Sequence, residues 1–305
     1  MDKLVEFTIT DQAGERIDKI ISSYYEDFSR SFIQKLVKSG KVFVNDKVVK
    51  SNYKVVEQDK VTFFIPEPVE LDIMPEKIDL DILYEDEDII VINKGKGMVV
   101  HPAAGHYSGT VVNGLLYHCK GQLSGINGVM RPGIVHRIDM NTTGAIVACK
   151  NDKAHRFIAE QLKEHSITRK YRAIVWNPLK ETTGTVNAPI GRHPVDRKKM
   201  AINERNGKHA VTHYRLLDNL NGKFAYIECE LETGRTHQIR VHMASIHHPL
   251  LGDDVYGPSK NTYKLEGQAL HAMVLGFIHP TTKKYVEFEA PLPEYFEETL
   301  RRLQK

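Results

Sequence analysis

The chain has 305 residues, of which 41% are hydrophobic and 27% are charged, as in a globular protein large enough for two domains. Its net charge of +3 is too small to indicate nucleic-acid binding by itself, and three widely spaced cysteines exclude a disulfide framework. No stretch approaches the roughly 20 apolar residues of a membrane span, and the N-terminus lacks a signal-peptide pattern. We therefore expect a cytoplasmic protein.

The first 65 residues have the pattern of a short arm followed by a small helical module. Residues 1–14 predict a strand or arm, and apolar residues then recur at helical spacing over residues 17–24 and 32–37. A hairpin is predicted around the turn at residues 45–46. Residues 15–65 resemble an S4 domain, a small RNA-binding module. Its basic side chains are expected to meet RNA phosphates, or else to form an ordinary solvated surface: Arg16, Lys19, Arg30, Lys35, Lys38 and Lys41.

An acidic segment separates this module from the rest of the chain. Residues 66–88 contain ten Asp or Glu and one Lys, with weak periodicity and several prolines. Residues 66–86 are therefore predicted to be a linker. From residue 87 onward, strand-like and helix-like stretches are mixed without regular βαβ order, which favours an α+β fold. We expect residues 87–305 to form one larger domain.

A loop at residues 130–144 places one acidic side chain among basic and hydroxyl side chains. Asp139 lies near the middle of this loop, between His136 and Thr143. Turn residues bound the loop, and the apolar run at residues 145–148 predicts a buried strand. A carboxylate that a structured loop holds at the end of a strand is a candidate nucleophile or base, although Asp often only caps its own turn.

A later segment offers a partner for this carboxylate. A strand is predicted at residues 224–231, and apolar spacing predicts a helix at residues 236–246. Arg235 lies at the start of that helix and is expected to face its apolar side. An arginine keeps its proton inside a protein, and the N-terminal end of a helix is positive. We therefore predict an ion pair between Arg235 and Asp139, with an arginine that reaches solvent as the alternative.

Together these segments resemble the RluA/RluD family of pseudouridine synthases. The family pattern His-Arg-Leu-Asp-x-x-Thr-Ser-Gly corresponds to residues 136–144, and Thr-Gly-Arg-Thr-His-Gln-Ile-Arg is unbroken at residues 233–240. Gly95 stands where the family usually has proline, and residues 141–143 replace Asp-Thr-Ser; neither departure removes a group that the reaction needs. The resemblance covers nearly the whole chain. Further stretches that are similar to the family lie at residues 91–102, 247–257, 269–272 and 289–293.

The resemblance implies a fold and a set of roles. The larger domain would be a pseudouridine synthase domain with a mixed or antiparallel central sheet crossed by a catalytic cleft. Asp139 would be the essential carboxylate, kept ionised by Arg235, and Tyr171 would stack on a uracil that has left its base stack. Arg137 would enter the RNA where the base left. The remaining residues expected to bind substrate are His136, Leu231, as an apolar wall, and Thr143.

The same resemblance implies an isomerase that acts on structured RNA, with large-subunit ribosomal RNA as the expected partner. The reaction needs no redox step or phosphoryl transfer, so neither a cofactor nor a metal is expected. Attack at C1′, attack at C6 and proton abstraction from C2′ all stay open for Asp139. Two other functions also stay open: a synthase acting on tRNA, and a non-catalytic RNA-binding or ribosome-assembly factor. We expect a monomer that does not bind membranes.

Overall fold

In a computed structural model, the chain divides into two compact units, residues 1–70 and residues 71–305. The structure describes residues 3–25, 30–65, 73–103, 106–126, 131–196, 199–258, 263 and 265–305. Within these ranges, no helix is both long and apolar enough to cross a membrane.

The first unit packs two helices on a small antiparallel sheet. The strands are β1 (Lys3–Thr8), β2 (Val42–Val44), β3 (Lys47–Val48) and β4 (Lys60–Ile65), in the order β1-β4-β2-β3. The helices are α1 (Ile17–Tyr24) and α2 (Arg30–Lys38). Apolar residues at helical spacing, such as Ile20 and Ile33, are buried against the sheet in one core, which confirms the two predicted helices. The predicted hairpin is also present, with Asn45 and Asp46 in the left-handed conformation that its turn requires.

The second unit is built on a mixed sheet of nine described strands with helices on its faces. Eight strands follow the order β5-β6-β7-β14-β8-β13-β12-β9, and β15 pairs with β14. A two-stranded hairpin, β10–β11, is separate from this sheet. The strands are β5 (Ile82–Glu85), β6 (Ile89–Lys94), β7 (Thr143–Cys149), β8 (Thr168–Trp176), β9 (Thr183–Asn187), β10 (Ile190–Arg192), β11 (Met200–Ile202), β12 (Val211–Leu220), β13 (Phe224–Leu231), β14 (Leu270–Ile278) and β15 (Tyr285–Glu289). The helices are α3 (Val111–His118), α4 (Asp152–Lys163), α5 (Gln238–Ser245) and α6 (Glu294–Leu303).

The sheet is buried on both sides because alternate residues of its strands face different cores. Ile90 and Ile146 belong to the core that includes α3, whereas Val91 and Val147 belong to the core that includes α4. The pairing of β14 with β7 is parallel and the other pairings are antiparallel, so the sheet is mixed. The fold is thus α+β with a mixed central sheet, as the sequence predicted.

Two features of the second unit differ from the expectation. Within the segment predicted to be a linker, β5 pairs with β6. In the same segment, the carbonyl of Met74 accepts a hydrogen bond from the side-chain amide of Asn113 in α3 at 2.9 Å. Residues 73–86 therefore pack in the second unit. The strand β5, Ile-Leu-Tyr-Glu, is only four residues long, and the acidic residues around it favoured a linker. The amphipathic helix α6 was also not predicted, although its apolar residues include the buried Phe296 and Leu303.

Candidate active site

The loop that carries Asp139 is fixed to the end of β6 by a buried lysine. Lys94 is the last residue of β6 and is 2% exposed. Its ammonium group donates to three backbone carbonyls, those of Gly95, Met98 and Met140, at 2.8, 2.9 and 2.9 Å. Because Met140 follows Asp139 directly, this lysine holds the backbone beside the carboxylate in place. Burial lowers the pKa of Lys94 to about 7, and the charge of Asp139 opposes that shift.

Asp139 pairs with an arginine of helix α5. Nη1 of Arg240 donates to Oδ2 of Asp139 at 3.1 Å. The same guanidinium binds a second carboxylate in a bidentate manner: its Nε and Nη2 donate to Asp253 at 2.7 and 2.9 Å. The side chain of Arg240 is 6% exposed and that of Asp253 is fully buried. Asp253 and Asp139 raise the pKa of Arg240 against the effect of burial, so this cation is permanent and fixed in direction.

The predicted ion pair between Arg235 and Asp139 is therefore wrong, and the start of the helix explains why. His237 adopts a left-handed backbone conformation with φ of 57°, and α5 begins only at Gln238. Arg235 thus lies in the turn before the helix, where its Nε donates to the carbonyl of His209 at 2.9 Å. Arg240 lies in the first helical turn and faces Asp139. The family-like motif at residues 233–240 contained both arginines, and their spacing in sequence did not distinguish them.

A histidine and a tyrosine lie on the other side of the carboxylate. Nε2 of His237 is 3.9 Å from Oδ1 of Asp139, and its Nδ1 is 2.9 Å from the hydroxyl of Tyr256. That hydroxyl accepts a hydrogen bond from the amide of Met200 in β11 at 2.9 Å. Burial is the main cause that lowers the pKa of His237. No role for His237, Tyr256 or Asp253 was predicted from the sequence.

Asp139 opens onto a cavity of about 390 Å³ in the second unit. Tyr171 of β8 and Leu231 at the end of β13 line it with apolar surface and are 9% and 8% exposed. Burial raises the pKa of Tyr171, so its phenol is neutral. Its hydroxyl has no hydrogen-bond partner among the residues that the structure describes. The cavity therefore brings an aromatic ring, an apolar wall and a carboxylate together.

The wall of this cavity is strongly positive. Its lining includes the side chains of Arg131, Arg137, Arg169 and Arg235, and Asp139 is the one carboxylate among the described lining residues. Arg169 is 7% exposed, and its buried Nε has no partner in the described part of the chain. Since the whole chain carries a net charge of only +3, the cavity concentrates positive charge that the composition does not reveal.

Two other residues predicted to bind substrate have internal partners. His136 lines the cavity, but its Nε2 accepts a hydrogen bond from the amide of Val147 at 3.0 Å, and burial lowers its pKa to about 3. The ring is therefore a neutral support of the loop with one edge in the cavity. Thr143 is 3% exposed and lies outside the cavity lining, with its hydroxyl 2.8 Å from Nδ1 of His271. The structure does not place Thr143 where it would touch substrate.

The basic residues of the first unit are only partly available. Arg16 donates through Nε and Nη2 to both oxygens of the buried Asp18, at 3.0 and 2.9 Å, so part of its guanidinium is already used. Lys19 pairs with Glu15 at 3.0 Å. Two lysines of α2, Lys35 and Lys38, are exposed, and Lys41 is partly buried. The side chain of Arg30 lies outside the described residues. Contact of these residues with RNA stays a prediction.

Comparison with known proteins identifies the class of this fold and site. The family model for RNA pseudouridylate synthase matches residues 88–245, and the S4 domain model matches residues 15–61. An uncharacterized RNA pseudouridine synthase of Bacillus subtilis (strain 168) is 55% identical over 97% of this chain and 96% of its own length. The ribosomal large subunit pseudouridine synthase D of Zymomonas mobilis is 48% identical over 95% of this chain and 94% of its own length.

A solved structure agrees with these sequence relatives. Human RNA Pseudouridylate Synthase Domain Containing 1 has a TM-score of 0.59 and 26% identity, and the match covers 72% of this chain and 85% of the human one. The chain belongs to the RNA pseudouridylate synthase family and carries an S4 domain. It is an RNA-modifying isomerase, as the sequence resemblance predicted.

Proposed function

We propose that this protein converts uridines of large-subunit ribosomal RNA to pseudouridine, with Asp139 as the catalytic carboxylate. The reaction breaks the bond from C1′ to N1, turns the base, and joins C1′ to C5. C5 loses a proton and N1 gains one, so no electrons are exchanged with another molecule. The protein must therefore hold a detached base and a reactive sugar, and move protons between them.

The pairing of Asp139 with Arg240 is the observation that carries this proposal. A carboxylate acts as nucleophile or base only when it is aimed at the reacting atom, and the charge-assisted hydrogen bond from Arg240 at 3.1 Å orients Asp139. The guanidinium donates to Oδ2, and Asp139 also lines the cavity. Asp139 thus has one oxygen for orientation and one for substrate.

The lining of the cavity supports a flipped nucleotide as its occupant. Extracting a base costs a few kcal/mol, which stacking and phosphate contacts must offset. Tyr171 supplies a ring for the uracil, and Leu231 supplies an apolar surface. Arg137 is exposed and lines the cavity, which supports the proposal that it fills the gap that the base leaves in the RNA. Other arginines of the wall meet the flanking phosphates.

The choice of RNA rests on the relatives. The Zymomonas mobilis protein named ribosomal large subunit pseudouridine synthase D matches nearly the full length of this chain, including the S4 domain. An S4 domain joined to a synthase domain supports two points of contact with one folded RNA. A tRNA substrate would need the same cavity, so the cavity does not distinguish the two kinds of RNA.

The test is to map pseudouridine in cellular RNA by reverse-transcription stops after carbodiimide treatment. RNA would be compared from cells with the wild-type protein, without it, and with Asp139→Asn. The matched control is Asp79→Asn, which changes an exposed carboxylate outside the cavity. We expect stops in large-subunit RNA with the wild type and the control, and none in the other two.

Each other outcome has a definite meaning. Stops confined to tRNA would show that the protein is a pseudouridine synthase whose substrate is tRNA and not ribosomal RNA. Stops that persist with Asp139→Asn would remove Asp139 from the catalytic role. Identical maps in all four strains, together with binding of the purified protein to ribosomal RNA, would favour a non-catalytic assembly factor.

A further inference from the structure

The two oxygens of Asp139 have different surroundings. Oδ2 accepts the hydrogen bond from Arg240 at 3.1 Å. Oδ1 lies 3.9 Å from Nε2 of His237, which is too far for a direct hydrogen bond. The side chains of His237 and Asp139 are 21% and 18% exposed, and both line the cavity. Oδ1 of Asp139 and Nε2 of His237 are thus separated by a gap beside the cavity in which the proposed substrate lies.

The hydrogen bonds around Tyr256 decide which nitrogen of His237 carries the proton. The hydroxyl of Tyr256 accepts from the amide of Met200, and its other described partner is Nδ1 of His237, at 2.9 Å in each case. Among the described residues, Nδ1 is the one acceptor within reach of its single hydrogen, and with that hydrogen directed at Nδ1 the imidazole nitrogen is the acceptor. Burial lowers the pKa of His237, so the ring is neutral and the proton of the imidazole is on Nε2. The gap thus has an acceptor, Oδ1, on one side and a donor, Nε2–H, on the other.

The backbone conformation of His237 sets the direction of its side chain. Its φ of 57° is a left-handed conformation, which is uncommon for residues other than glycine, although Asn, Asp and His are enriched there. Such conformations cost about 1–3 kcal/mol and cluster at functional sites. The conformation ends the turn before α5 and directs the imidazole toward Asp139. A residue that served only as a helix cap would be better chosen as Ser, Asp or Asn.

Resting on the proposed function, we propose that Asp139 and His237 together bind the 2′-hydroxyl of the target ribose and so select RNA over DNA. A hydroxyl oxygen at about 2.8 Å from both atoms spans the 3.9 Å gap. The hydroxyl donates its hydrogen to Oδ1 and accepts the hydrogen of Nε2. The site uses the hydroxyl both as a donor and as an acceptor. A 2′-deoxy sugar has no hydroxyl there, so Oδ1 and Nε2–H lose their hydrogen-bond partner.

Other groups of a nucleotide do not match this pair of atoms. The carbonyl oxygens of uracil and the phosphate oxygens only accept, so they face the Oδ1 lone pairs unfavourably. The N3–H of uracil only donates, so it conflicts with Nε2–H. The 3′ oxygen is esterified within an RNA chain and has no hydrogen. The 2′-hydroxyl is the one group of an internal uridine that both donates and accepts, and it is also the group that distinguishes RNA from DNA.

The test compares two substrates that differ in one oxygen atom. One is the RNA fragment that carries the mapped uridine, and the other has 2′-deoxyuridine at that position only. Release of tritium from C5 gives kcat/KM for each, and the ratio of the two values is the discrimination. Binding of a synthetic stem-loop RNA with one loop uridine, and of its 2′-deoxy copy, is measured in parallel so that the inference does not depend on turnover.

Three variants separate the role of His237 from effects on folding. His237→Asn keeps a residue that tolerates the left-handed backbone but is too short to reach the gap. His237→Gln places an amide N–H donor near the position of Nε2. His247→Asn is the control, because His247 is also left-handed, with φ of 66°, and does not line the cavity.

We expect the wild type and His247→Asn to prefer the 2′-hydroxyl substrate, and His237→Asn to lose about tenfold of that preference, the value of one hydrogen bond. His237→Gln should recover part of it. The proposal is overturned if His237→Asn slows both substrates equally, or if its discrimination and its binding ratio equal those of the wild type. If the wild type forms no product, the proposed function fails, and the binding ratios alone decide the role of His237.

Discussion

Arg240 donates hydrogen bonds to two carboxylates at once, to Asp139 at 3.1 Å and to Asp253 at 2.7 and 2.9 Å. Asp253 is fully buried, and its Oδ1 also accepts from the amides of Val255 and Tyr256. The buried carboxylate therefore fixes the guanidinium, and the guanidinium fixes Asp139. Two carboxylates share one guanidinium, so Arg240 is paired with Asp253 independently of the carboxylate at the cavity.

Replacing Arg240 by lysine should reduce kcat far more than KM. A lysine keeps the positive charge but cannot bind one carboxylate in a bidentate manner and reach a second one. Because orientation of Asp139 is lost while the cavity wall is kept, we expect kcat to fall by about 100-fold or more, as when a group that positions a reacting atom is removed. Single-turnover kinetics on the mapped RNA would measure this. A change confined to KM would show that Arg240 binds RNA instead.

Replacing Asp253 by asparagine should act on both stability and rate. The amide offers one acceptor where the carboxylate offers two, so part of the guanidinium is left unpaired in a buried position. We expect the free energy of unfolding to fall by about 3 kcal/mol and kcat by about tenfold. Urea denaturation and single-turnover rates are the measurements. Asp254→Asn is the control, since Asp254 is 79% exposed and 4.0 Å from the guanidinium; an equal loss in both variants would contradict the role of Asp253.

Gly144 should not tolerate a side chain. It has φ of 111° at the start of β7, and a Cβ there would overlap the carbonyl of Ala272 in the parallel strand β14. Gly144→Ala combines backbone strain with a clash between two paired strands, so we expect a loss of about 3 kcal/mol or more in unfolding free energy. Thermal unfolding would report it. Gly125→Ala is the matched control, because nothing lies within 4 Å of its added Cβ; equal melting temperatures of the two variants would refute the clash.

His136 should make the fold sensitive to acid. Its pKa is lowered to about 3 in the folded protein, against about 6.5 in the unfolded chain. Below pH 6.5, His136 is protonated in the unfolded chain but stays neutral in the folded protein. The free energy of unfolding therefore falls as the pH falls toward 3. Above pH 6.5 both forms are neutral, and His136 adds no pH dependence.

The measurement is urea denaturation of the wild type and of His136→Gln at pH 7 and pH 5. Glutamine keeps a hydrogen-bond acceptor for the amide of Val147 and does not titrate. We expect the unfolding free energy of the wild type to fall by about 1–2 kcal/mol more than that of His136→Gln when the pH is lowered from 7 to 5. A difference that stays the same at both pH values would mean that His136 is protonated as easily in the fold as outside it.

Arg235 should affect RNA binding and leave the chemical step nearly unchanged. It lines the cavity, and its Nε is bound to the carbonyl of His209, not to Asp139. We expect Arg235→Ala to raise KM by about tenfold, to change kcat by less than about threefold, and to lower the slope of log affinity against log salt by about one. Arg215→Ala is the control, because Arg215 pairs with Glu228 outside the cavity. A loss of kcat like that of Arg240→Lys would assign Arg235 to catalysis.

The sequence by itself predicted the parts of this protein that depend on local pattern. Helical spacing located α1 and α2, and an apolar run located β7, because one buried face imposes its period on the residues. The motifs at residues 136–144 and 233–240 led to the family and to Asp139 as the candidate carboxylate. The strand β5 and the hairpin β10–β11 escaped detection, because strands of three or four residues are too short to show a hydrophobic period and depend on their pairing.

Only the tertiary structure decided which arginine meets Asp139 and what lies on its other side. Arg235 and Arg240 are five positions apart in one motif, and the left-handed turn at His237 places the second of them under the carboxylate. The order of residues also does not predict the burial of Asp253 or the contact of Tyr256 with His237. An ion pair or a hydrogen bond depends on a few ångströms of distance between segments that are far apart in sequence, and only the packing of the whole sheet sets that distance.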